Sequence, residues 1–202
     1  LSDIYTNGYG PSLSLVLNGQ ASNTAAREYL PQGKLAISLD GNWILGNYSE
    51  SGVSPWAEHT EELAVAAMPT SEGQDPGTIT LAGGWAYSIP ENSGAKDITW
   101  EFIQFMMQPE YYQEYIMQAG NLCTRTDTAE NEEYLSRHLM GTFTEFLETA
   151  DFRPQNDQYS TVSTCIQQMV EAVVSGTSPD DAMAQYATSV ARAVGDDNVT
   201  EQ

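Results

Sequence analysis

Positive charge is scarce in this chain. Its 202 residues hold 7 Lys+Arg against 28 Asp+Glu, a formal net charge of −21. Phosphate backbones and anionic lipid are held by basic patches, so nucleic acid, nucleotides and membrane surfaces are poor candidate ligands and a neutral polar ligand suits the surface better. Cysteine is nearly absent: Cys123 and Cys165 have no metal or redox spacing, and whether they form one bridge stays open. Histidine is as rare. His59 opens HTEE, which is not the zinc-binding HExxH, and His138 sits in SRHLM; these read as a surface-loop and a helix-end residue, and neither has metal-ligand spacing. There is no G-x-S-x-G nucleophile elbow and no G-x-x-x-x-G-K-[ST] phosphate loop, so neither serine-hydrolase nor ATPase chemistry is signalled. The opening DIYTNG fails as a calcium loop because Tyr5 stands where an acid or amide is needed and Ser14 where the bidentate Glu should be. No catalytic set, metal or cofactor is therefore expected. No run of ~18 apolar residues exists to make a membrane-spanning helix. The start, LSDIYTNGYG, lacks a basic segment followed by an apolar one. It reads as a helix end and a turn, so the chain is expected to be a piece of a longer protein.

What is present suffices for a core, since 41% of residues are apolar and 10% aromatic. Lys34–Leu39, Glu62–Met68, Thr78–Leu81 and Trp85–Ile89 read as strands bounded by Gly, Pro and Asp. Thr24–Leu30 reads as a short helix. From Pro90 the character changes to helix. Asn92 or Ser93 is placed to cap a helix through Met107, whose Phe102, Phe105 and Met106 read as a core face. Pro109 begins PEYYQEYIMQAG, with Gly120 as its stop. Glu132–Leu139 and Thr142–Ala150 are shorter helical candidates. Residues 159–175 carry a stripe of Val162, Ile166, Met169, Val170 and Val173, ended by Gly176. Ser178-Pro179-Asp180-Asp181 supplies a cap, an N1 proline and acids at the positive end of a helix running to about Val194. GDDNVTEQ follows as a frayed tail, in which Asn198-Val199-Thr200 matches a glycosylation sequon.

Two stretches stand out: AISLDGNW at 36–43 and AGGWAYSIP at 82–90. Each brings a Trp beside glycines, which leave space that a core would fill. An indole face against the apolar face of a sugar ring removes both from water, while nearby carboxylates and amides take the hydroxyls. Gly83 and Gly84 let a ring approach the main chain. Asp40, before Trp43, either accepts hydrogen bonds from hydroxyls or holds the Asp40-Gly41-Asn42 turn. The plain alternative is that both indoles plug gaps and the glycines serve turns.

Taken in order, GKLAISLDGNWILGNY, ELAVAAMPTSEG, GGWAYSIPENSGAKDITWEFIQFMMQPEYYQEY, AGNLCTRTDTAENEEYL and the closing VEAVVSG-TSPDDAMAQYATSV resemble the C-terminal half of the family 1 extracellular solute-binding proteins. These are the maltose-binding-protein-like sugar receptors of ABC importers. The resemblance implies an α/β fragment of a two-lobed, periplasmic-binding-protein-like (type II) fold, helix-rich after residue 90. Residues 1–82 would belong to the C-terminal lobe, 83–134 would cross into the N-terminal lobe, and 135–202 would return as C-terminal-lobe helices. It implies a non-catalytic receptor binding a mono- or oligosaccharide outside the cell, with a membrane permease as partner. The protein would be periplasmic or membrane-anchored, its signal or lipoprotein segment lying upstream. Trp43 and Trp85 match sugar-stacking positions, Gly83 and Gly84 the segment lining the cleft, and Asp40, Asn42 and Arg125 the hydrogen-bonding groups. Arg125 falls in NLCTRTD, where many members carry L-P-T-R; here Cys123 replaces the proline, and an ordinary ion pair is the competing reading for Arg125. A fragment of this fold would leave sheet edges and apolar helix faces uncovered, which favours a homodimer by element exchange. Two other function classes remain: a carbohydrate-active hydrolase using paired carboxylates, and a helical module that binds another protein through an exposed apolar stripe.

Overall fold

A computed structural model describes residues 1–199, the side chain of Ala21 aside. Thr200 of the sequon and the last residues of the tail lie outside the described residues. In chain order the elements are α1 (Ser2–Thr6), α2 (Leu13–Leu17) and α3 (Ala21–Thr24), which runs into a π-helical turn at Ala25–Tyr29. Next come α4 (Ile44–Tyr48), α5 (His59–Glu62), β1 (Met68–Pro69), β2 (Thr78–Ala82), α6 (Lys96–Met106) and α7 (Pro109–Ala119). Then follow α8 (Thr126–Ala129), α9 (Glu132–Leu135), α10 (Met140–Glu145) with a 3₁₀ turn at Phe146–Thr149, and β3 (Ala150–Phe152). Two long helices close the chain, α11 (Tyr159–Val174) and α12 (Pro179–Val194). The protein is thus mixed α/β and helix-rich, with one small sheet in the order β1-β2-β3. β1 pairs antiparallel to β2 with Met68 opposite Ile79, and β3 pairs parallel to β2 with Thr80 opposite Ala150.

The chain forms two compact units, Leu1–Ser38 with Pro154–Gln202, and Leu39–Arg153. In the first, α11 packs along α12 and also meets α1 and α2. Ser178 caps α12 by accepting a hydrogen bond from the Asp181 amide at 3.1 Å, and Pro179 occupies N1. The free thiol of Cys165 and the Val174 side chain are buried on α11. Cys123, in the other unit, is also a free thiol.

The second unit is built round Ile44, Leu45, Tyr48, Trp56, Tyr112, Ile116, Tyr134 and Met140, all buried. α7 starts at its N1 proline and stops at Gly120, whose φ of +68° ends the helix in the left-handed region. Gly120 has a second task. A Cβ there would press on the Gly46 amide, and one on Gly46 would strike the Ala119 carbonyl. Two side-chain-free residues thereby bring α4 against the last turn of α7.

Several expectations are corrected. Lys34–Leu39 and Trp85–Ile89 are irregular rather than strands, and Glu62–Met68 contributes only Met68 to β1. A strand is stabilised by its hydrogen-bonded neighbour, and apart from Met68, opposite Ile79, these runs join no ladder among the described residues; Ile37 and Leu39 are exposed. Glu132–Leu139 stops at Leu135, and Leu139 takes φ +61°, which a continuous helix through it would not allow. The Phe102/Phe105 face of α6 is exposed together with Ile98 and Trp100, so it is not core; Ile103 and Met106 are half-buried. His59 belongs to α5 rather than a loop and is half-buried.

Candidate functional site

Asp40, Gly41, Asn42 and Trp43 form one turn leading into α4, with the Ile44 amide donating to the Gly41 carbonyl and the Leu45 amide to that of Asn42. Ile44 and Leu45 then enter the core, which fixes the turn at the unit's surface. Asn42 Nδ2 donates to the Gly120 carbonyl at 3.0 Å, docking the turn on the end of α7 and satisfying an orphan helix carbonyl. Asp40 Oδ1 accepts from the Gly41 amide at 2.8 Å, the turn-holding role weighed above. The Trp43 indole lies over Gly41 so closely that a Cβ there would overlap its six-membered ring. This glycine makes room for the protein's own side chain. The outer part of the ring still faces solvent, with 55% of the residue exposed.

The second tryptophan sits in the opposite circumstance. After β2 the chain runs through Gly83 to Pro90 without joining a ladder. Trp85 is 100% exposed, and no atom lies within 4 Å of the Cβ position of either Gly83 or Gly84. Tyr87, two residues on, is exposed as well.

Arg125 is held from two sides. Its Nη2 and Nε donate to the two Asp127 oxygens at 2.6 and 3.0 Å, and its Nη1 donates to the Met107 carbonyl at 3.2 Å. The fork places a cation and an anion in bidentate register. The Asp127 hydrogen bond raises the guanidinium pKa, and the Arg125 hydrogen bond lowers that of the Asp127 carboxyl. The loop before Arg125 is anchored by two buried tyrosines. Tyr112 Oη accepts from the Thr124 amide at 2.7 Å, and Tyr134 Oη accepts from the Cys123 amide at 3.3 Å. A proline at 123 has no N–H for that second bond, so the Cys123 departure and Tyr134 belong together.

Among the described residues, no hydrogen bond, ion pair or ring contact joins Trp43, Trp85 and Arg125 to one another. What the structure gathers instead is a cluster that sequence reasoning missed. Trp56 meets Tyr48 edge-on at 5.2 Å, and His59 meets His138 at 6.0 Å. His138 Nε2 lies 3.1 Å from the Leu63 carbonyl and His59 Nδ1 contacts that of Trp56. The two histidines lie 79 positions apart in the sequence, which gave no signal of this pairing. Burial, and secondarily the charge of Asp40, pushes the Tyr48 phenol up to about 12.

The model of a family described as Bacterial extracellular solute-binding protein matches residues 1–142. The matched span includes both tryptophan segments and the Arg125 loop. No curated protein matches the chain.

Proposed function

The chain belongs to the bacterial extracellular solute-binding proteins, and from that premise we propose that it captures a carbohydrate for uptake by an ABC importer, without catalysing a reaction. A mono- or oligosaccharide ring would stack on Trp43 and Trp85. Gly83 and Gly84 would admit the ring to the backbone, and Asp40, Asn42 and Arg125 would meet its hydroxyls. The observation that carries this reading is Trp85, wholly exposed beside two glycines with open space around them. A fully hydrated indole is unfavourable unless something covers it. A sugar face has the required chemistry, an apolar ring surface bordered by hydrogen-bonding groups. Arg125 and Asn42, fixed by their present partners, would offer pre-oriented polar edges rather than free-swinging ones.

Thermal-shift titration of the full-length protein with mono- and oligosaccharides tests this. A binding sugar is expected to raise Tm, and Trp85→Ala or Trp43→Ala to weaken it by roughly 30-fold, the ~2 kcal/mol of an aromatic anchor. Sugar affinity untouched by both substitutions would remove the stacking site.

One observation favours a second reading, a helical protein-interaction module. Ile98, Phe102 and Phe105, at i, i+4 and i+7, leave an exposed apolar stripe on α6, the feature that reading requires. Phe102→Glu should then abolish association with a partner or a second copy in light scattering while leaving sugar binding intact.

A further inference from the structure

Past the end of β2 the chain continues through residues 83–90 with neither turn nor bend. Among the described residues, no backbone hydrogen bond is made by residues 85–89. Their amides and carbonyls form an open row of donors and acceptors, which is a template for another strand. The residue order suits a strand as well. Trp85, Tyr87 and Ile89 stand at every second position, so all three share one face of an extended run. The alternate positions, Gly84, Ala86 and Ser88, carry only small side chains. Trp85 and Tyr87 are exposed, and the space beside Gly83 is open. No charge interrupts the stretch, since Asp75 and Glu91 are the nearest charged residues along the chain. Copies of a chain with a net charge of −21 repel one another. An uncharged strand is a place where two of them can touch without opposing carboxylates.

We propose that residues 83–89 are a self-pairing strand, whose partner is the same segment of a second copy. An antiparallel pair centred on Ala86 is isologous: it sets Trp85 opposite the partner's Tyr87, and Tyr87 opposite the partner's Trp85. Two aromatic pairs thus meet across the two-fold axis on the large-residue face. Gly83 falls opposite the partner's Ile89, which takes the space that the missing side chain leaves. On the other face Ala86 meets its own copy and Gly84 meets the partner's Ser88, so nothing bulky holds the strands apart. With Ala86 as a hydrogen-bonded pair, the flanking aromatic pairs take the closer, non-hydrogen-bonded spacing. Pro90, which has no N–H, ends the ladder. A slip of one residue in either direction would set each aromatic ring opposite a Gly, Ala or Ser and undo both pairs. The register that matches is therefore the self-complementary one, which favours a second copy over an unrelated strand. Paired and sugar-bound forms exclude each other, since both use the Trp85 ring, and the pairing does not depend on the carbohydrate reading.

Sedimentation of the full-length protein over a concentration series, at low and at high NaCl, is the test. A reversible dimer is expected, tighter at high salt because the like charges are then screened. Ala86→Pro removes the central N–H of both copies and should weaken the dimer roughly 30-fold, the loss of two backbone hydrogen bonds. Within one copy that N–H has no partner among the described residues to lose. Tyr87→Glu, which puts a carboxylate beside the axis in each copy, should weaken the dimer at least as much. Phe102→Glu, on α6, should leave it unchanged. Amide exchange at residues 85–89 should slow as the dimer fraction rises. A monomer at every concentration overturns the proposal, whether its 85–89 amides exchange fast or are slowed under cover from its own chain. A dimer that keeps its affinity in both Ala86→Pro and Tyr87→Glu also overturns it, because the copies then meet through another face.

Discussion

Trp43 and Trp85 begin from the same local composition, an indole within two residues of glycine, and end in different surroundings. At Trp43 the missing Cβ of Gly41 is filled by the indole itself, and the turn is tied to α7 through Asn42. At Trp85 the space beside Gly83 and Gly84 stays open, and nothing shields the ring. A glycine beside a tryptophan is therefore not one signal. It marks either a close intramolecular approach or a vacant surface, and the difference lies in what the rest of the chain brings to the spot.

Substitutions can sharpen that contrast. The largest effect is expected next to the Trp43 turn, at Gly46→Ala, where the new methyl meets the Ala119 carbonyl, a backbone atom that cannot swing aside. A loss of about 1–3 kcal/mol in urea unfolding is expected, with a cost near zero arguing that α4 and α7 do not approach as described.

Alkaline titration should be comparable in size. The Tyr48 phenol, pushed up to about 12 from an ordinary 10 by burial and Asp40, stays protonated in the fold while the unfolded chain ionises. Its contribution is present below pH 10 and declines as pH rises from 10 to about 12, by ~2–3 kcal/mol in all. Tyr48→Phe should flatten that part of the stability–pH curve, which chemical denaturation at stepped pH would record.

Gly41→Ala and Gly83→Ala provide the direct pair. The first should cost ~1 kcal/mol, because the indole it displaces can rotate, and should shift tryptophan emission as that ring moves outward. Gly83→Ala should stay within ~0.5 kcal/mol with emission unchanged. Equal outcomes at the two glycines would erase the distinction drawn between the segments.

The smallest effect belongs to the exposed Arg125–Asp127 pair. Asp127 has its carboxyl pKa lowered by the Arg125 hydrogen bond, so its contribution exists above its unfolded pKa of about 3.9 and disappears as pH falls through the lower folded value. Asp127→Asn should remove only a slight acid-side slope, since exposed ion pairs contribute little. A steep loss of acid stability in that variant would mark the pair as more deeply held.

How much was legible can be judged residue by residue. Pro109 with Gly120, and Ser178-Pro179-Asp180-Asp181, gave helix limits that agree with α7 and α12, because caps and stops act within a few residues. The capping of α6 was placed too early: the helix begins at Lys96, and Ser93 instead accepts from the Ala95 amide at 3.2 Å ahead of it. The runs at 34–39 and 62–68 misled because short apolar runs bounded by turn residues state only a preference for a ladder, and the neighbour must come from elsewhere. Of the candidate site, both indoles are exposed, and their role in binding is left to the titrations above. The restraint of Arg125 by Asp127, and the part played by Tyr134 in holding the Cys123 amide, lay beyond local pattern.

The sequence by itself determined the acidic, cation-poor surface, the limits of the capped helices and the family resemblance, since composition, capping chemistry and ordered motifs are properties of neighbouring residues. Only the tertiary structure decided which glycine is filled and which is open. It also decided that two histidines 79 positions apart meet. Those outcomes depend on which distant backbone approaches, and the close contact of Gly46 with Gly120 is the kind of event that no local preference encodes.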